Sequence, residues 1–514
     1  MAWCDRGARP GGIEAPNHQV SVPDRADFVV VGGGTTGCVV AARLSEDPAA
    51  QVLLLEAGSG YRSTVDLPGV LDDPYLLPVG PASEHTWTYP VELTPSRRAT
   101  VSRGRTLGGS GAVNGAYFAR ATRTDFDLWP DSWSYEKVLP YFRKSETDHD
   151  FGGPYHGDNG PIPVRRRQLD DMHPFSSRFH DAALAAGFPE DADKNAPDSN
   201  GVGPVPLNIS DHRRISTAVG YLLPAMGRRN LTVDVGVTVL RIVFSGTRAV
   251  GVDVLDGTAL RRIRGRHIVV CSGAVATPLL LLNSGVGSAD QLVAHDVPVV
   301  VDLPGVGQGF VDHPEVLLPY RYSVPEALRP QTPVLEMALN DADLEIRPYT
   351  ASFTDLVPGI PQMDHGIGVV LMAPRSRGTV ELDPKAPGGS PRIRYNYVDS
   401  AHDRRVLRRG MQIAEDLLET IAKTGMIRRP EIEYSDEWIE SRLGTSLHMS
   451  GSCVMGSEFD PDAVVNDRCS VLGVEALSIV DTSIMPVIPT RGPHATAVML
   501  AERASELVRD AARA

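Results

Sequence analysis

Near the amino terminus an apolar, β-branched run passes straight into a glycine triplet and then a helix, and few folds accommodate that order. Phe28-Val29-Val30-Val31 reads as a strand buried on both faces. Gly32-Gly33-Gly34-Thr35-Thr36-Gly37 follows without a gap and fits the spacing G-x-G-x-x-G. Gly32 permits a tight turn, Gly34 lets backbone approach a pyrophosphate, and Gly37 allows the helix to pack closely on the strand. Cys38 to Ser45 continues as that helix, whose start offers free N–H groups and a positive dipole end to phosphates. A second strand, Gln51 to Leu55, ends at Glu56, nineteen residues beyond Gly37 and placed to accept from a ribose hydroxyl. A glycine triplet alone marks many turns. Strand, helix, second strand and terminal acid in register specify a dinucleotide site, and these residues serve FAD and NAD equally well.

A chain of 514 residues holds room for more than the dinucleotide unit. Its 49 glycines and 41 prolines point to many tight turns and backbone-lined sites rather than long helical bundles. The net charge of −14 is spread among interspersed acids and bases, which excludes a nucleic-acid partner. Five cysteines (Cys4, Cys38, Cys271, Cys453, Cys469) lack metal or disulfide spacing, so reduced thiols in the cytoplasm are expected and no metal site. Residues 1–26 lack an apolar centre and read as a flexible extension, not a signal peptide. From His267 to Gly287 no charged residue occurs, a length that could span a bilayer. Turn residues at Ser272-Gly273, Thr277-Pro278 and Asn283-Ser284-Gly285 divide it instead into a buried strand, a turn and a short buried helix.

Beyond the first sixty residues the chain resembles one family. Gly104-Arg105-Thr106-Leu107-Gly108-Gly109-Ser110-Gly111-Ala112-Val113-Asn114-Gly115 is similar to the first signature of the glucose–methanol–choline (GMC) oxidoreductases. Gly273 to Pro278, continuing to Ser284 to Gly287, is similar to the second. Further family-like stretches are Tyr155-His156-Gly157, Gly160-Pro161-Ile162, Leu303 to Gln308, Asp312-His313-Pro314, His448 to Gly456 and Val480 to Pro486. They occur in family order, and the resemblance implies bound FAD. Three segments, Gly109 to Phe118, Gly160 to Arg166 and Gly201 to Ile209, resemble most the mycofactocin-associated GMC dehydrogenases. That narrower likeness implies mycofactocinol as the alcohol substrate and a quinone or respiratory electron acceptor, met at the inner face of the membrane.

The resemblance also implies site residues. Gly108, Gly109 and Asn114 would lie towards the isoalloxazine ring and pyrophosphate, and Arg105 would also bind the cofactor; glycine lacks the Cβ that would hold backbone off a flat ring. Val113 stands where some relatives tether FAD through histidine, so non-covalent FAD is expected; Gly111 stands where relatives often carry serine. Val239 would meet adenine through its backbone, Asp481 would accept from a ribityl hydroxyl or cap the next turn, and Ala495 would touch the cofactor. His448 would be the proton acceptor and His494 the donor to the substrate oxygen, with Gly492-Pro493 in place of the Asn-Pro common in relatives. Most of the 14 histidines have no companion in sequence and read as surface or satisfied core residues.

The expected architecture is α/β (α+β overall). A Rossmann-like FAD-binding domain with a parallel sheet is formed by 27–145, 206–314 and 446–514, and a substrate cap on an antiparallel sheet by 146–205 and 315–445. Gly366 to Met372 and Gly378 to Leu382 read as cap strands, and Asp403 to Thr420 as a solvated amphipathic helix. Two rival functions share much of this pattern: a nicotinamide dehydrogenase, which has no use for Gly104–Gly115, and a GMC-type hydroxynitrile lyase, which leaves its flavin oxidised. Within the redox reading, a small choline-like or aryl alcohol is the alternative substrate, handled by a dehydrogenase or an oxidase.

Overall fold

The computed structural model describes residues 23–323, 332–383, 391–432 and 434–513. Seven strands rich in β-branched residues build one mixed sheet: β1 (Arg25–Val31), β2 (Val52–Glu56), β3 (Leu231–Val235), β4 (Val237–Ser245), β5 (Arg248–Asp256), β6 (Ala259–Val270) and β7 (Leu477–Ile479). Their order is β3-β2-β1-β6-β5-β4, with β7 also on β6. β6 serves two partners along one edge: its first half pairs antiparallel with β5, and Ile268 to Val270 pair parallel with β7. β1, β2 and β3 are parallel, and β2 is buried throughout, which is why its sequence is an unbroken apolar run. Helix α1 (Thr35–Leu44) leaves the end of β1, α2 (Gly273–Asn283) leaves the end of β6, and α3 (His494–Arg513) packs along α1. Gly32, Glu56, Cys271 and Asp481 therefore emerge at the shared carboxyl edge of four strands, where open α/β sheets bind ligands.

A second seven-stranded sheet is wholly antiparallel, in the order Ile427–Arg428, Pro314–Tyr322, His365–Leu371, Leu344–Pro348, Met337–Asp341, Gly201–Pro204, with Gly444–Thr445 also on Pro314–Tyr322. The helix Ala401–Ala422 covers one face through Leu407, Met411, Ala414, Leu417, Leu418 and Ile421, while Arg404, Arg405, Arg408 and Arg409 are exposed. Gly410 allows the contact, since a Cβ there would lie 2.7 Å from Val369 Cγ1. Strand alternation turns Glu315, Glu345 and Arg347 to the sheet's other face.

The fold is that of the expected class. The run from His267 to Gly287 divides into the end of β6, a turn and α2, and no helix among the described residues is long and apolar enough to cross a membrane. Cys38, Cys271, Cys453 and Cys469 are buried and unpaired. Two segment boundaries differ from the reading of the sequence. β1 begins at Arg25, inside the stretch expected as an extension, of which residues 1–22 lie outside the described residues. A four-stranded sheet also crosses the expected division, joining Thr86–Glu92 and Arg98–Gly104 to Arg392–Arg394 and Thr379–Glu381. Its register could not be read locally, because the parallel contact between Arg394 and Glu92 spans some three hundred residues.

Candidate active site

One continuous cavity of about 1540 Å³ among the described residues runs from the carboxyl edge of the mixed sheet to the face of the antiparallel sheet that carries Glu315 and Arg347. At its nucleotide end the three signature glycines act differently. A Cβ on Gly37 would stand 1.9 Å from Gly32 O, and Gly32 itself has φ +99° with the Cys271 carbonyl against it. Both are required by helix–strand packing. A Cβ on Gly34 would meet no protein atom closer than 3.8 Å and would project into the cavity, so its absence leaves room for a ligand. Glu56 accepts from Gly33 N and Gly58 N, each at 2.7 Å. Burial pushes its carboxyl up to about 7, against the pull of those N–H groups and of Arg105. Val239 lines the cavity where the β4–β5 register slips between Val239 and Arg241, which releases backbone groups from the ladder.

The Gly104–Gly115 loop lies directly on the first glycine turn. Gly108 N donates to Gly33 O at 2.8 Å, and a Cβ on Gly109 would reach 2.6 Å from Gly34 Cα. Gly108 and Gly109 adopt φ +87° and +53°. Arg105 stacks its guanidinium 4.2 Å from the Trp87 ring, and its Nε is buried without a partner. Gly37, Gly108 and Ala495 do not themselves line the cavity; Ala495 is fully buried in the first turn of α3. Asp481 lines it, but its oxygens already accept from Ser483 N (2.8 Å), Gly273 N (2.8 Å) and Thr277 Oγ1 (2.6 Å). It caps one turn and ties down the start of α2. The long cavity, the open space at Gly34 and the acid at the end of β2 fit FAD: Gly34, Glu56, Gly109 and Val239 would hold it.

Two imidazoles face the other end. Asn114, expected towards the flavin, lines the cavity, and its side chain also holds His494: Asn114 Nδ2 lies 2.9 Å from His494 Nδ1, while Asn114 Oδ1 accepts from Ala116 N at 3.0 Å. The second bond fixes the amide's orientation, so His494 Nδ1 must be the acceptor and the proton sits on Nε2. That Nε2 is buried without a partner, next to the space that Gly111 leaves, where a Cβ would lie 2.9 Å away. Phe118 holds the ring edge-on at 5.3 Å. Burial, and then Arg214, bring His494 down to about 4.

His448 is half-buried, and its Nε2 approaches Gly492, two residues before His494; a Cβ there would be 3.5 Å away. Its Nδ1 is 2.8 Å from Nδ1 of His313, with the rings crossed at 87°. His313 was read only as part of a family-like stretch, and its pairing with His448 has no counterpart in the reading of the sequence. Asp312 holds both residues by accepting from His313 N and His448 N, each at 2.7 Å. Burial keeps His448 well below the usual imidazole range, helped by His313, Arg347 and Arg103, and it brings His313 to about 3. Glu315, Arg347 and Tyr349 also line this end. The strand alternation that places them is present in the sequence, but nothing there marks it as facing a cavity.

Models of the GMC oxidoreductase family match residues 26–315 and 374–501. The chain belongs to the GMC oxidoreductases. Membership makes it an FAD-dependent oxidoreductase of CH–OH groups. A Rhodococcus erythropolis protein described as an uncharacterized GMC-type oxidoreductase in the thcA 5' region is 72% identical over 94% of this chain and 98% of its own. An oxygen-dependent choline dehydrogenase of Escherichia coli is 32% identical over 94% and 95%. Among solved structures, pyridoxine 4-oxidase from Mesorbium loti superposes with TM-score 0.85 at 28% identity, over 94% of this chain and 98% of that one. Glu146, Asp148 and His156 lie close enough to hold a metal, yet Arg120 and Arg166 pair with the carboxylates, which makes the group an ion-pair cluster.

Proposed function

We propose that this GMC oxidoreductase oxidises an alcohol by removing its hydroxyl proton through His448 Nε2 while His494 Nε2–H holds the oxygen. FAD, when bound, supplies the hydride acceptor at N5. The asymmetry of the two rings carries the reading. Asn114 commits His494 to be a donor at the cavity, suited to a developing alkoxide. The Nδ1–Nδ1 contact to His313 then allows His448 to donate from Nδ1 and present a lone pair at Nε2. Both rings are neutral at pH 7, as a base and a neutral donor require. Val113, buried and unreactive, supports non-covalent FAD.

The three segments that resemble mycofactocin-associated dehydrogenases support mycofactocinol as substrate, with a quinone or respiratory carrier taking the electrons at the inner membrane face. The choline dehydrogenase and pyridoxine oxidase relatives support instead a small alcohol. Anaerobic mixing of the holoenzyme with each alcohol separates these readings. Mycofactocinol should bleach the flavin fastest, and reoxidation by a quinone analogue should outrun that by oxygen. Flavin that stays oxidised with every alcohol would favour lyase chemistry and reject the proposal.

A further inference from the structure

On the antiparallel-sheet side of the cavity, Arg347 is only 5% exposed. Its Nε donates to Glu345 Oε1 at 2.6 Å, and Nη1 to Ser446 Oγ at 3.0 Å and Glu315 Oε2 at 3.5 Å. Nη2 is buried and makes no hydrogen bond. A guanidinium offers donors only, and leaving one buried and unmet is costly, so a ligand acceptor there gains what the protein withholds.

The carboxylates around it are in the opposite state. Glu315 accepts from Tyr349 Oη at 2.7 Å and Ser446 Oγ at 2.8 Å besides Arg347. Glu345 accepts from Asn340 Nδ2 at 2.9 Å and Tyr117 Oη at 3.1 Å. A glycine keeps this cluster in place: a Cβ on Gly368 would lie 2.5 Å from Glu315 Oε1 and 2.9 Å from Tyr349 Cε2. A quaternary ammonium has no N–H to give Glu315 and would face the like charge of the Arg347 guanidinium. Glu315, which lines this end, already has its charge paired with Arg347.

We infer that Arg347 determines specificity: its Nη2 donates to a second oxygen of the substrate, away from the carbinol, so the enzyme selects acceptor-bearing alcohols over choline-type ones. The inference rests on the alcohol-oxidising reading and deepens it.

The test is anaerobic stopped-flow reduction of the holoenzyme by 4-methylbenzyl alcohol, methyl 4-(hydroxymethyl)benzoate, 4-(hydroxymethyl)benzoate and choline. At least one of the two oxygen-bearing alcohols should exceed 4-methylbenzyl alcohol in kred/Kd by about tenfold or more. Choline should fall below it. Ester against carboxylate then distinguishes a neutral from an anionic acceptor. In Arg347→Met the preference should shrink to about one. Should that variant not fold, the wild-type series decides alone. Comparable rates for the three benzyl alcohols, or choline fastest, overturn the inference while leaving the alcohol reading intact. No reduction by any alcohol overturns both.

Discussion

His448 and His494 share a cavity but not a chemical state, and the difference comes from their neighbours. Replacing His448 with alanine should slow flavin reduction by about a hundredfold or more while FAD stays bound, measured by stopped flow. A reductive rate within a few-fold of wild type would remove His448 as the base. Asn114→Leu keeps the branched shape but lets His494 choose its tautomer, so reduction should slow about tenfold, with unchanged flavin content separating this from loss of cofactor. The pH profile follows from the sign of the shifts. Burial lowers both imidazoles, so the neutral base persists below histidine's ordinary 6.5, and activity is lost only as pH falls further. The reductive rate should be flat from about pH 6.5 to 8, and an inflection within that window would contradict the neutral state of the two rings.

At the scale of elements, the clip between Glu146–Asp148 and the loop at His156 has a titration of the opposite sign. His156 Nδ1 meets Asp148 at 3.1 Å and Nε2 meets Asp193 at 2.9 Å, and these acids overcome burial to raise the imidazole to about 10. A folded pKa above the unfolded one gives stability that is complete below about 6.5 and lost as pH rises towards 10. Wild type should therefore lose urea resistance between pH 7 and 10, and His156→Gln should show a flatter dependence over that range. The contrast in what the sequence reveals has the same local character. β1, α1, β2 and Glu56 were legible because each follows from residues within thirty positions of one another. His313 against His448 was hidden because the contact joins two loops 135 residues apart. Arg347 was hidden because alternating charge in a strand looks the same whether it faces water or a cavity.

For the whole molecule, the two sheets supply complementary halves of one cavity, and cofactor binding should show which glycines serve the fold and which serve the ligand. Gly37 and Gly34 lie three residues apart, yet a Cβ on the first strikes Gly32 O at 1.9 Å, and on the second it finds no protein atom within 3.8 Å. Gly37→Ala must separate α1 from β1, so it should lower the melting temperature of apoprotein and holoprotein alike. Gly34→Ala disturbs no protein packing and should leave the apoprotein's Tm within about 2 °C. A ligand that binds only the native state adds stability of about 4 kcal/mol at a thousand times its Kd. Wild type should gain this increment when FAD is added, and Gly34→Ala should lose much of it as its Kd for FAD rises tenfold or more. Calorimetry on apoprotein with graded FAD reads both quantities. An equal FAD-dependent rise in Tm for wild type and Gly34→Ala would mean that the cofactor's phosphates do not lie over α1, and the placement of the cofactor in this cavity would have to be redrawn.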